Sequence, residues 1–307
     1  MKRQILFIMM SFLAVTACNM EELSREEQPD VVTNDHFQLP PYKAELKVYY
    51  QASCSWSATV EYHGESDWVQ FPSFGDAGLS ELDINVASNI LQDAGERSCV
   101  ISFSSSDSPG DVSHRIEITQ ERPLFSIKET ELAWAWNETD KKQVQVETNL
   151  KFDIQNGDSA WVIERGSDSD VITVSPSSPN LESVPIEAVL SVVPDVSNDQ
   201  DWSHRIKLLQ EPFVFTLDGK PEDVTVNLNG NDFEPKEIAV VCDDKWDIEK
   251  FSSDVVSAAK GTDGNSLVVK IKGTGIVEKD AEASITLKAD CGVTRKVLIK
   301  VKGVKAS

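Results

Sequence analysis

Past residue 40 the chain alternates apolar and polar side chains over short runs. Ile116/Ile118, Val144/Val146 and Val184/Ile186 show it cleanly, and Val268/Ile271 shows it with one irregularity. A period of two puts one side of each run in a core and the other in water, which predicts half-buried strands bounded by turns. No segment past residue 40 holds apolar residues at the 3.6-residue period for three turns, so helices are expected to be short or absent. Parallel sheets would need long, usually helical crossovers. The expectation is therefore all-β, with antiparallel sheets packed face to face as sandwiches.

The pattern also repeats on a longer scale. Ser113-His-Arg-Ile-Glu-Ile-Thr-Gln120 returns as Ser203-His-Arg-Ile-Lys-Leu-Leu-Gln210, each followed by Glu and then a proline within two residues. A second match, at an offset of 94, sets Val144, Val146, Lys151, Phe152, Asp153 and Ile154 against Ile238, Val240, Lys245, Trp246, Asp247 and Ile248. Together the two matches predict three copies, at 34–122, 123–211 and 212–303. The third copy departs in its closing segment, where Val297, Ile299 and Val301 fall one position out of phase when Arg295 is aligned with Arg115. Either Lys296 takes the arginine's place or a bulge intervenes.

The first 33 residues have a different logic. Lys2 and Arg3 precede an apolar run from Ile5 to Ala17, and Cys18 follows Val15-Thr16-Ala17 at once. This run is shorter than the ~20 residues that span a bilayer, and it reads as a signal peptide over residues 1–17. The small residues before Cys18 resemble a bacterial lipobox. That resemblance implies cleavage before Cys18, acylation of the cysteine, and a membrane anchor of several acyl chains, each buried methylene contributing ~0.8 kcal/mol. Residues 18–33 carry Glu21, Glu22, Glu26, Glu27 and Asp30 against a single Arg25 and read as a flexible tether. Acidic residues directly behind the lipidated cysteine resemble the signal that sends Bacteroidetes lipoproteins to the outer face of the outer membrane. The periplasmic face remains the alternative.

Charge narrows the partners. Without the leader the chain holds 27 basic and 51 acidic side chains, a formal charge of −24, so nucleic acid is a poor partner. Neutral glycans, basic proteins or divalent cations are favoured, and charge alone selects none of them. Four cysteines remain, Cys54, Cys99, Cys242 and Cys291, in a compartment that permits disulfides. Three pairings are open. Pairing within copies, Cys54 with Cys99 and Cys242 with Cys291, is preferred, the second more firmly because both cysteines stand at expected strand ends. No CxxC spacing is present, so redox motifs and zinc ribbons find no support.

The aromatic that opens a strand (Trp56, Phe152, Trp246), a short tryptophan segment (Asp67-Trp68-Val69, Ala160-Trp161-Val162), and an Arg-led strand ending in Gln follow in fixed order. This order resembles BACON domains, well in copies one and two and weakly in copy three. The resemblance implies immunoglobulin-like sandwiches in a Bacteroidetes envelope protein, often found with polysaccharide-degrading enzymes or in glycan-uptake loci. It implies glycan or mucin binding, with a spacer or protein-binding subunit of an envelope assembly as the alternative.

No catalytic residues are expected. HExxH, GxSxG and phosphate-binding glycine loops are absent, and His114 and His204 repeat within a scaffold strand. No cofactor is implied. Calcium ligands could be drawn only from 166–170 or 227–232, neither with EF-hand spacing, so no metal site is assigned. Glycan binding needs exposed aromatic faces flanked by polar groups. Trp134 and Trp136, two apart and so on one face of a strand, are the first candidates, and Trp202 is the second. The competing expectation for the pair is a core face opposite Ala133 and Ala135. Trp56, Trp68, Trp161 and Trp246 are expected in the core.

Overall fold

A computed structural model describes residues 14–15 and 35–305, apart from 53, 106–111, 156–157, 167–168 and 197–201. Apart from residues 14–15, the signal peptide lies outside the described residues, as do Cys18 and the tether. Among those described there are strands and no helices, organised as six sheets. They divide into two compact units, one drawn from residues up to 128 with 145–155 and 191–204, the other from 129–144, 156–190 and 205 onward.

In the first unit, Ala44–Ala52, Gly78–Val86 and Val69–Gln70 lie side by side in one sheet. The facing sheet runs His36–Leu39, Val112–Gln120, Arg97–Ser105, Trp56–His63, Phe74–Gly75. Between them lies a core that includes Leu46, Trp56, Trp68, Ile84, Ile101, Phe103 and Ile118. Alternation made this possible: Ala44–Ala52 buries every second residue from Leu46 onward. Each fully buried Ile or Leu contributes ~1.5–3 kcal/mol relative to exposure. The same unit pairs Phe125–Ile127 with residues 146–148 and Phe152–Gln155 with residues 191–194, both antiparallel.

In the second unit, Trp161–Arg165 pairs antiparallel with Val171–Pro176, and Glu131–Trp134 runs parallel to residues 207–210 of the strand His204–Gln210. The last stretch of chain forms one sheet of Phe215–Leu217, Lys236–Cys242, Ser266–Ile271 and Val256–Lys260, and another of Val224–Asn229, Thr294–Lys302, Ala281–Ala289 and Trp246–Phe251. Labelled A to G along the chain, these are A-B-E-D and A′-G-F-C, the arrangement of immunoglobulin-like sandwiches. Tandem immunoglobulin-like sandwiches are thus the fold.

The phase problem in the third copy resolves without a bulge in its closing strand. Residues 294–301 pair continuously with 281–288, and Val297, Ile299 and Val301 are buried. Val226 faces Ile299 and Leu228 faces Val301, as Phe37 faces Ile118 and Leu39 faces Gln120. Lys296 therefore stands where Arg115 does, and Val301 where Gln120 does.

Candidate functional site

The residues that make the repeat recognisable are used internally. Gln120 is fully buried; its amide donates to the Pro40 and Tyr42 carbonyls at 3.2 and 2.9 Å, and its oxygen accepts from Arg97 Nε and Nη2 at 3.0 and 2.9 Å. Arg97 in turn lies 4.7 Å over the Trp68 ring and bonds Glu65 at 3.0 Å. Gln210 repeats the device, donating toward the carbonyls of Trp136, Ser178 and Glu138 at 3.2–3.4 Å. Buried Asn89 and Asn180 do parallel work, Asn89 on Gly95 and Glu121, Asn180 on Val184 and Glu211. These asparagines escaped the reading of the sequence, although their separation of 91 positions nearly matches the repeat offset of 90.

The tryptophans proposed for sugar stacking are not open platforms. Trp134 is 1% exposed, sits 5.1 Å from the Trp161 ring and donates its indole N–H to the Asp140 carbonyl at 2.8 Å. The strand stops at Trp134, so Trp136 lies in the following turn and not beside it on one face. Trp136 is half-buried and packs edge-on to Phe213 at 4.7 Å. Trp202 is 7% exposed. Trp56, Trp68, Trp161 and Trp246 are buried.

All four described cysteines are free thiols. Cys54 Sγ lies 3.3 Å from Ser105 Oγ, while Cys99 pairs with Tyr62 six residues away along the same strand. At ~3.3 Å per residue that separation far exceeds the ~7 Å limit between bridged Cα atoms, so the preferred Cys54–Cys99 pairing is wrong. Burial pushes the Cys99 thiol up to about 12. Cys242 and Cys291 both pack against the last core, unbridged. Burial raises the Cys242 pKa, and the nearby Cys291 adds to the rise.

Among the described residues no three His, Cys, Asp or Glu side chains gather to share a metal ion. Of the 227–232 stretch, 227–229 end the strand Val224–Asn229, and the Asp232 carboxylate accepts from the Asn229 backbone at 2.7 Å, which is turn chemistry.

A hollow lies among the described residues of the first unit. It holds about 490 Å³ and is lined by 92–95, 122–125, Trp202 and His204. Its walls are tied in place: Asn89 holds the Gly95 and Glu121 carbonyls, and Asn149 bonds Leu124 N–H at 2.7 Å and the Arg122 carbonyl at 2.9 Å. The Phe125 and His204 rings of its lining lie 5.4 Å apart, tilted by 55°, and Gln92, Asp93 and Arg122 are exposed on its rim. Of the expected stacking residues it gathers Trp202 alone. An aromatic floor rimmed by an amide and both signs of charge suits an uncharged polar ligand; it offers no nucleophile with a base beside it.

No family model matches the sequence, and no curated protein matches it. Solved structures do. The I9–I11 tandem of titin has a TM-score of 0.38 at 13% identity, covering 88% of this chain and 96% of that one. The human desmocollin-1 ectodomain gives 0.36 at 8%, covering 88% and 60%. A Bacteroides ovatus GH5 xyloglucanase in complex with a XXXG heptasaccharide gives 0.24 at 16%, covering 33% of this chain and 20% of that one.

Proposed function

We propose that this chain is an acyl-anchored, non-catalytic arm of the bacterial outer membrane, built of BACON-like modules and carrying or positioning a binding function away from the bilayer. The observation that carries this reading is the internal use of the repeated residues: Gln120, Gln210 and the tryptophans close and fill the sandwiches. Repeats conserved for packing suit a spacer or a subunit of an envelope assembly. The lipobox-like run ending at Cys18 and the acidic stretch behind it support the anchor and a cell-surface location.

The test is metabolic labelling with a palmitate analogue, followed by fractionation and by protease treatment of intact cells. Label on the wild type, its loss in Cys18→Ser with release from the membrane, and protease accessibility are the expected results. An unlabelled protein found free of membrane refutes the anchor.

The cavity at Trp202 supports a second reading, a saccharide-binding module for polysaccharide or mucin glycan. It has the aromatic and hydrogen-bonding lining such ligands require. Calorimetry against a panel of these glycans should show binding that Gln92→Ala and Arg122→Ala, on the exposed rim, weaken and that Trp134→Phe, away from the cavity, leaves intact. Absence of binding across the panel leaves the arm as the whole function.

A further inference from the structure

We infer that the sandwiches are built to bear tension along the chain. In each, the strand by which the chain enters the A′-G sheet runs parallel to, and beside, the strand by which it leaves. His36–Leu39 is in register with residues 117–120, Glu131–Trp134 with residues 207–210, and Val224–Asn229 with residues 297–302. Bonds continue just past these registers: Glu121 N–H donates to Leu39 O at 3.0 Å, Glu211 N–H to Trp134 O at 2.9 Å, and Gly230 N–H to Lys302 O at 2.8 Å.

The direction of the pairing decides how it fails. When parallel neighbours are pulled from the entry of one and the exit of the other, they are dragged in opposite directions along their common axis. Ladder hydrogen bonds cross that axis, so every bond in the pair is loaded at once and none can break first. Had entry and exit strands been antiparallel neighbours, the same pull would have opened the bonds one after another from an end. Buried side chains on the entry strands, Phe37 and Leu39, Leu132 and Trp134, Val226 and Leu228, must also be dragged out of their cores. In the first two sandwiches a buried glutamine at the end of the exit strand grips backbone carbonyls just beyond the entry strand, which adds a lock at the point where slip would begin. The third has no such lock and a longer register, six residues against four.

This goes beyond the arm reading and does not depend on the acyl anchor, because it concerns resistance to force and follows from strand order alone. The test uses the full-length chain in optical tweezers, with two placements of handles on the third sandwich. Handles at Glu211 and Lys305 load the parallel pair along its axis. Handles at Asn231 and Lys305 grip two exposed residues at the same end of the pair, so the load peels it. Unfolding under force is governed by the barrier along the pulled coordinate. The axial placement should therefore require a several-fold higher force than the peeling one at the same loading rate. Equal forces in the two placements overturn the inference, as does axial unfolding at the lower force; neither result would touch the anchor or the glycan cavity.

Discussion

The first and third sandwiches face the same structural problem and solve it with different chemistry. Where the exit strand ends, the backbone carbonyls of the turn beyond the entry strand must find donors, because a buried unpaired carbonyl loses ~1–3 kcal/mol. The first sandwich sends a side chain: Gln120 reaches the Pro40 and Tyr42 carbonyls and is itself held by Arg97. The third sends backbone. Val301 occupies the glutamine's register position, the strand pairing runs on to Asn229 and Lys302, and the segment at 277 closes the end, Val277 N–H donating to Gly230 O and Val304 N–H to Val277 O, both at 2.9 Å. That approach is close enough that a Cβ on Gly230 would overlap the Val277 carbonyl oxygen, and one on Gly303 the Glu278 carbonyl oxygen. A polar side chain and a pair of glycines are thus alternative closures of one fold.

The largest break of this comparison comes from Gln120→Leu. It removes donors from two carbonyls and strands two N–H groups of a buried guanidinium, and hydrogen bonds to charged groups are worth ~1.5–3 kcal/mol each. A loss of about 3–5 kcal/mol is expected for the first sandwich, read as accelerated hydrogen exchange in peptides spanning 97–120. Gln210→Leu removes three longer, uncharged bonds and should lose about 2–3 kcal/mol, confined to 186–210. If Gln120→Leu left exchange unchanged, the clamp would be ornamental.

Next in size is the mirror experiment on the third sandwich. Gly230→Ala places a methyl group against backbone that has little room to give, and overpacking of this kind typically loses ~1–3 kcal/mol. Peptides spanning 224–230 and 294–304 should exchange faster while the first sandwich is unaffected. Val301→Gln, which installs the first sandwich's residue in a site with no waiting carbonyls, should destabilise by about 1–3 kcal/mol. A neutral Val301→Gln would mean the two closures are interchangeable.

The strands and their threefold recurrence were legible because period-two burial is local and appears directly as alternation, as in Lys142–Thr148. The repeated glutamine was visible too, but its role was not: Gln210 reaches Trp136, 74 positions away, and no local pattern carries such a partner. Trp134 and Trp136 misled for a related reason. Alternation places them on one face only while the strand continues, and it ends at Trp134, where Ala135 N–H turns to the Glu138 carboxylate at 3.2 Å. The cavity is assembled from three segments spread over more than a hundred residues, so its lining could not be read as a motif.

The smallest effect separates the sandwiches by pH. Cys99 is fully buried opposite Ile118, whereas Ala283 stands opposite Ile299 in the third sandwich. Burial pushes the Cys99 thiol up to about 12, against the pull of Arg97. An unfolded thiol ionises near 8.5–9, so above that range the unfolded chain releases a proton that the folded one keeps. The stability this thiol contributes is complete below pH ~8.5 and falls as pH rises toward 12, by ~1.4 kcal/mol per pH unit. At pH 10 the first sandwich should have lost roughly 1.5 kcal/mol through Cys99, measured as a fall in denaturant midpoint with hydrogen exchange reporting which strands open. Cys99→Ala, which borrows the third sandwich's residue, should remove this share of the alkaline loss, and an unchanged slope would show that the thiol ionises without opening the core.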